Sequence, residues 1–315
     1  MTTDMAAEPS LKASEKQAIS KKLIPVLKKQ YSASVPKLDL PVLEMILLAI
    51  CLENNTVEDA QNLYERLKGA FCDLNEMRVS SITELVEVIG EEDEDAEYRA
   101  LRIRSLLQYV FETTFSYDLE QFTRKTQDQA QKFLGKIPHL SHFVLQYTLL
   151  QVLGAHVVPV DSNIDCLAVW LGYSSPDSGV EKTSDSLKSS VRKSDAASFF
   201  YLLRAASCDE KMMKKVAKEV ESAEGENFDL SDATTRYSNL LSGKVTKKKT
   251  PTKAAKTAKA TTKKKTAKAA KTVKKAVPKK AATKKPARKK ATTEVKKKVV
   301  KAKKKTTATK KSKKK

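Results

Sequence analysis

The chain has 315 residues and a formal net charge of +22, but the charge is sharply divided. From Lys244 onward stand 32 lysines and Arg288 against a single acid, Glu294, a net of +32, while the preceding residues hold 27 basic and 37 acidic groups, a net of −10. No apolar run approaches the roughly 18 residues a membrane span needs, because Met45 to Leu52 is short and follows Glu44.

Met1 to Ser10 carries acids and no charged lead into an apolar stretch, so it does not read as a secretory signal. The four cysteines, Cys51, Cys72, Cys166 and Cys208, lie far apart and form no C-x-x-C pair. That spacing fits reduced thiols packed as small hydrophobes, and it argues against a zinc or iron–sulfur cofactor. The expected location is cytoplasmic, associated with a nucleoid or with chromatin.

The first element is a helix over Lys12 to Gln30, with Ile19, Leu23, Val26 and Leu27 apolar and Pro25 complicating one turn. Asp39 is placed to cap a strong apolar helix that starts around Pro41 and runs through Val42, Ile46 and Ile50. Val57 to Phe71 has its apolar residues at helical spacing, and Ser81 to Ile89 forms a shorter helix that Gly90 ends. The acid run Glu91 to Glu97 reads as a solvated loop. Helices are expected over Ala100 to Thr114 and Leu119 to Leu134. Ala155 to Val160 is the one β-branched run, and it is short. Trp170 and Tyr173 sit among Leu167 and Leu171 at core spacing, and His156 reads as structural. The expected architecture is all-α, as a partly helical N-terminal extension (1–36), a two-lobed helical domain (37–242) and a tail (243–315).

The tail is built from Lys, Ala and Thr, with three prolines and no aromatic residue. Such a composition buries too little apolar surface to offset the entropy of ordering, so disorder is expected. Its lysines come singly or in clusters, among them Lys263, Lys264 and Lys265, then Lys289 and Lys290, then Lys303, Lys304 and Lys305. Each lysine that meets a phosphate releases condensed counterions, which gives strong, salt-sensitive affinity with little sequence information. The expected partner is therefore DNA, bound without sequence preference; a membrane is not expected. The tail resembles those of linker histones in composition alone, and a solubilising tail or a tether to RNA are the alternatives.

The stretch from Leu134 to Tyr173 carries more. It reads as a helix, the hairpin Ile137-Pro138-His139-Leu140-Ser141-His142, a second apolar helix, and Val160-Asp161 at the next turn, 23 residues after Pro138. This order resembles the helix-hairpin-helix DNA glycosylases of the endonuclease III superfamily, over about Lys37 to Ser207. The resemblance implies a two-lobed helical fold, a DNA contact at the hairpin through His139, Ser141 and His142, and a catalytic carboxylate at Asp161. It also places Glu53, Asn54 and Asn55 where the family carries a polar group that fills the gap left by a flipped base.

Three departures bear on activity. His139 and Ser141 replace the hairpin glycines that let backbone amides approach a phosphate. Phe143 stands where bifunctional members have a Schiff-base lysine, so base removal without strand cleavage is the most this resemblance implies. The cluster-binding cysteines are absent, and Cys208 stands alone. Asp161 itself has two readings, an activating carboxylate for base excision or an ordinary cap for the helix after it. Ser162 and Asn163 read either as cap or as site residues. A DNA glycosylase linked to base excision repair, and a non-enzymatic architectural binder on a retired glycosylase fold, are the two function classes in play.

Overall fold

A computed structural model describes residues 11–223 and 225–242; the lysine tail, with Lys263 to Lys265, Lys289, Lys290 and Lys303 to Lys305, lies outside the described residues. Every regular element among the described residues is helical, and no strand occurs among them. The β-branched run before Asp161 is extended coil, with Val157, Val158 and Val160 buried.

The helices pack in two groups. The first comprises α2 (Val42–Leu52), α3 (Val57–Ala70), α4 (Leu74–Val79), α5 (Ile82–Ile89), α6 (Ala96–Thr114), α7 (Gln127–Leu134) and α8 (His142–Leu153). The second combines α1 (Ala13–Gln30) with α9 (Ser162–Leu171), α10 (Gly179–Ser189), α11 (Lys193–Ser207), α12 (Glu210–Ser222) and α13 (Ala233–Leu241). The expected two lobes are therefore present. The N-terminal helix is no appendage, since it packs on α11 and α13 with Leu23 and Leu27 fully buried.

Helix α2 is the centre of the first lobe, with ten of its eleven residues buried, as its unbroken apolar run requires. Its N-terminus is capped from elsewhere than Asp39. Asp39 makes no cap; the Val42 amide instead donates to Glu120 Oε1 at 2.9 Å, a carboxylate delivered from a distant short 3-10 turn at Glu120–Arg124. That turn also divides the segment expected to be one helix over Leu119 to Leu134, because Thr126 takes the N-cap of α7 and restarts the helix. Ser81 caps α5 as a reciprocal box with Glu84. In the second lobe, Gly172 (φ +84) ends α9 where a Cβ would lie 2.5 Å from the Phe228 carbonyl, so only glycine lets that segment pass.

The lobes meet where α8 faces α11. Phe143 and Tyr147 pack on Phe200, and the buried hydroxyls of Tyr147 and Tyr201 lie 2.8 Å apart. Trp170 is fully buried and donates to Glu219 Oε2 at 2.7 Å, and the Tyr173 hydroxyl meets Ser20 Oγ at 2.7 Å. Both are core residues, as their spacing implied.

Candidate functional site at the lobe junction

The expected order of helix, hairpin, helix and aspartate is realised as α7, residues 135–141, α8 and the N-terminus of α9. Asp161 is the N-cap of α9, and its Oδ1 accepts from the Ile164 amide at 3.0 Å. Its other oxygen accepts from the Asn54 amide at 2.7 Å and lies 2.5 Å from Arg204 Nη1. Both charged side chains are only 1% exposed. The carboxylate is thus shut off from solvent and shared among a helix end, the turn after α2 and a cation from α11.

Arg204 is the residue the sequence reading missed. It makes a close ion contact with Asp161, and water does not reach the rest of the guanidinium, which is 1% exposed. The guanidinium carbon instead lies 5.0 Å from the Phe143 ring centroid and 5.8 Å from that of Phe200. Two aromatic rings therefore take the place of hydration around the cation. Burial by itself pulls the Arg204 guanidinium down, but Asp161 and the Cys208 thiol beside it hold it above its ordinary value. Burial pushes the Cys208 thiol up, against the opposing pull of Arg204. Phe143 is a buried wall of this pair and presents no amine.

Asn54 ties the lobes together. It adopts a left-handed conformation (φ 60), which Asn tolerates better than most residues. Its amide reaches Asp161, its side-chain Oδ1 accepts from Ser162 Oγ at 2.8 Å, and its Nδ2 donates to Asp95 Oδ2 at 2.8 Å. Ser162 is therefore a tie to this turn, and Asn163 Nδ2 reaches the Asn54 carbonyl at 3.4 Å. Asn55 turns back to donate to the Cys51 carbonyl.

The turn is held from below by Arg99, which is 1% exposed and donates to the carbonyls of Ile50, Cys51 and Glu53 at the end of α2. Arg99 also pairs with Asp93 at 2.8 Å and Asp95 at 3.8 Å. The acid run is thus not simply a solvated loop: two of its carboxylates neutralise a buried arginine that caps α2. Glu53, also buried, accepts from Arg102 and from Ser141 Oγ, the latter at 2.9 Å. Burial pushes its carboxyl up, opposed by Arg102 and the Ser141 bond.

The hairpin residues separate in role. Ser141 caps α8, its Oγ accepting from the Val144 amide while donating to Glu53. His139 is exposed at the tip in a left-handed conformation (φ 61), the geometry a glycine would take without strain. His142 is half-buried; its Nδ1 lies 3.9 Å from Glu181 Oε1, and burial pulls its pKa down against Glu181 and Asp185. His156 Nε2 pairs with the Val191 carbonyl at 3.0 Å, a structural contact.

Beside Asn54 opens a cleft of about 770 Å³, between the α2–α3 turn, the α5–α6 loop and the start of α9. Asn54, Asn55 and Asn163 line it together with Asp59, Glu92 and Glu94, and its lining is predominantly polar. No group of His, Cys, Asp and Glu side chains able to hold a metal ion occurs among the described residues, and none of their helices is long and apolar enough to cross a membrane.

No family model matches the sequence, and no curated protein matches it. Among solved structures, the chain is similar to endonuclease III in a trapped covalent intermediate with DNA, an estranged-adenine complex. Identity there is 15%, over 60% of this chain and 84% of that one, with a TM-score of 0.47. A non-covalent endonuclease III–DNA complex matches at 16% identity over the same shares, also with a TM-score of 0.47. The 3-methyladenine DNA glycosylase MagIII of H. pylori, bound to 1,N6-ethenoadenine, matches at 14% identity over 74% of this chain and 96% of that chain, with a TM-score of 0.38.

Proposed function

We propose that this chain is a non-excising DNA-binding protein, in which a glycosylase-like two-lobed body is held on DNA by the lysine-rich tail. The single observation that carries the non-excising part is the state of Asp161. A carboxylate that activates water or stabilises a sugar cation must face the reacting atoms across a short gap. Asp161 faces an amide, a helix N-terminus and a buried guanidinium, and at 1% exposure it presents neither oxygen to a gap that could hold reacting atoms. Phe143 supplies no nucleophilic amine for a lyase step.

The neighbouring cleft argues the same way. Its five carboxylates outnumber its two arginines, Arg66 and Arg99, the second already paired with Asp93 and Asp95, so the balance repels the phosphates that would accompany a flipped nucleotide. DNA affinity then falls to the tail, whose 32 lysines bind phosphate through counterion release.

The test uses the full chain and its Asp161→Asn variant on duplexes carrying a panel of damaged and mismatched bases, followed by alkali. Intact binding without alkali-labile sites is expected for both proteins. Abasic sites that appear with the wild type and vanish with Asp161→Asn would make the protein a glycosylase and end the non-excising reading. Replacing the lysines at 263–265, 289–290 and 303–305 by glutamine tests the tail separately, with a large loss of affinity expected at physiological salt.

A further inference from the structure

We propose that the solvent face of α1 is a second phosphate-binding surface, on the body itself, which takes the backbone of duplex DNA. The proposal rests on the reading that this protein binds DNA. It does not rest on the tail being the only seat of affinity.

The body as a whole is acidic, yet the stretch from Lys16 to Leu38 contains no acid and six lysines, Lys16, Lys21, Lys22, Lys28, Lys29 and Lys37. The acid just before it, Glu15, is committed to its own helix end, accepting from the Lys12 amide at 2.9 Å. In α1, Leu23 and Leu27 point into the core, and Ser20 meets the Tyr173 hydroxyl. At 100° per residue, Lys21 and Lys28 then form one row and Lys22 and Lys29 a second, flanking the side opposite the core. All four are exposed. Partners within a row lie seven residues apart, about 10.5 Å along the axis.

A lysine-rich amphipathic helix has another common use, lying in a membrane interface with its apolar face inserted. That use is closed here. The apolar face of α1 is spent on α11 and α13, so only the charged face is left for a partner. A double row of cations, parted by no more apolar surface than Ala18 and Pro25, suits a polyanion whose charges are dense and fixed, which describes duplex DNA, with one charge per roughly 1.7 Å of axis. Lys16 Nζ donates to Ser186 Oγ at 2.9 Å and Gln17 Nε2 to the Ser189 carbonyl at 3.3 Å. These bonds bring the α10–α11 turn, with exposed Arg192 and Lys193, to the first turns of the helix. The cationic surface is thus wider than one helix.

The experiment measures DNA affinity of the full chain as a function of salt. In the variant Lys21→Gln, Lys22→Gln, Lys28→Gln, Lys29→Gln, the slope of log affinity against log salt should shrink by about 3.6, since each phosphate contact contributes about 0.9. Affinity at physiological salt should fall at least about tenfold, while the thermal midpoint stays unchanged, because these side chains support no buried contact. The matching fourfold arginine variant should restore the slope. An unchanged slope in the glutamine variant overturns the proposal. So does loss of binding to phosphatidylserine vesicles with full DNA affinity retained, which would assign the face to a membrane. If instead the tail variant keeps full affinity and the α1 variant loses it, the tail reading fails and the α1 surface stands.

Discussion

Replacing Arg204 by methionine isolates the pair at the lobe junction. Methionine keeps most of the volume between the Phe143 and Phe200 rings but removes the cation 2.5 Å from Asp161. The carboxylate, 1% exposed, is left with two backbone donors, Ile164 and Asn54, and no countercharge. Removing one partner of a buried ion pair costs about 3–5 kcal/mol, and the surviving amide bonds favour the lower end of that range. Replacing both partners should recover most of the loss, because a neutral, well-packed substitute is often as stable as the pair itself. The assay is urea unfolding followed by Trp170, the single tryptophan, which is fully buried in α9. Arg204→Met should lower the midpoint with an unchanged slope, and Asp161→Asn with Arg204→Met should return most of it. A loss under about 1 kcal/mol for Arg204→Met, or a double variant less stable than the single one, would refute the buried pair.

Three further outcomes follow from the same region. Asn54→Ala loses the bonds to Asp95 and Ser162 and puts alanine at φ 60, so it should destabilise by about 2 kcal/mol, and Asn54→Gly by less, in the same urea assay. Glu53 holds its proton more tightly when folded, because burial raises its carboxyl above the ordinary 4.5. Its contribution to stability is therefore fully present below about pH 4.5 and lost as pH rises through the raised value. Wild type should gain on Glu53→Gln as pH falls across that window, and parallel stability profiles would refute this. Cys51 is buried and its thiol is pushed up to about 12, so a thiol reagent should label the exposed Cys72 in the folded protein and reach Cys51 only on unfolding.

The sequence pattern located α1, α2, α3, α5 and α6 to within a few residues, and it placed Trp170 and Tyr173 in the core. These features rest on local periodicity, cap residues and glycine stops, all contained in short windows of chain. The 3-10 turn inside Leu119 to Leu134 was missed because the same local pattern served both a continuous and a broken helix until Thr126 recaptured the N-cap. The site was legible only in outline. Asp161 was marked by its distance from Pro138, and its cap role by its position before an apolar helix. What neutralises it was not, since Arg204 is 43 residues further on and ordinary in its own helix.

By itself, then, the sequence determined the helical class, the split of charge between body and tail, and the order of hairpin and aspartate, because each follows from composition or near-neighbour spacing. Only the tertiary structure decided what the charged residues are for. It set Glu120 rather than Asp39 on α2, and turned Asp93 and Asp95 onto Arg99. It closed Asp161 between Asn54 and Arg204 and packed α1 so that Lys21, Lys22, Lys28 and Lys29 face outward. The physical reason is the same in each case. A charge buried in a core must find its partner wherever the packing of distant helices brings one, and no local pattern in the chain records that meeting.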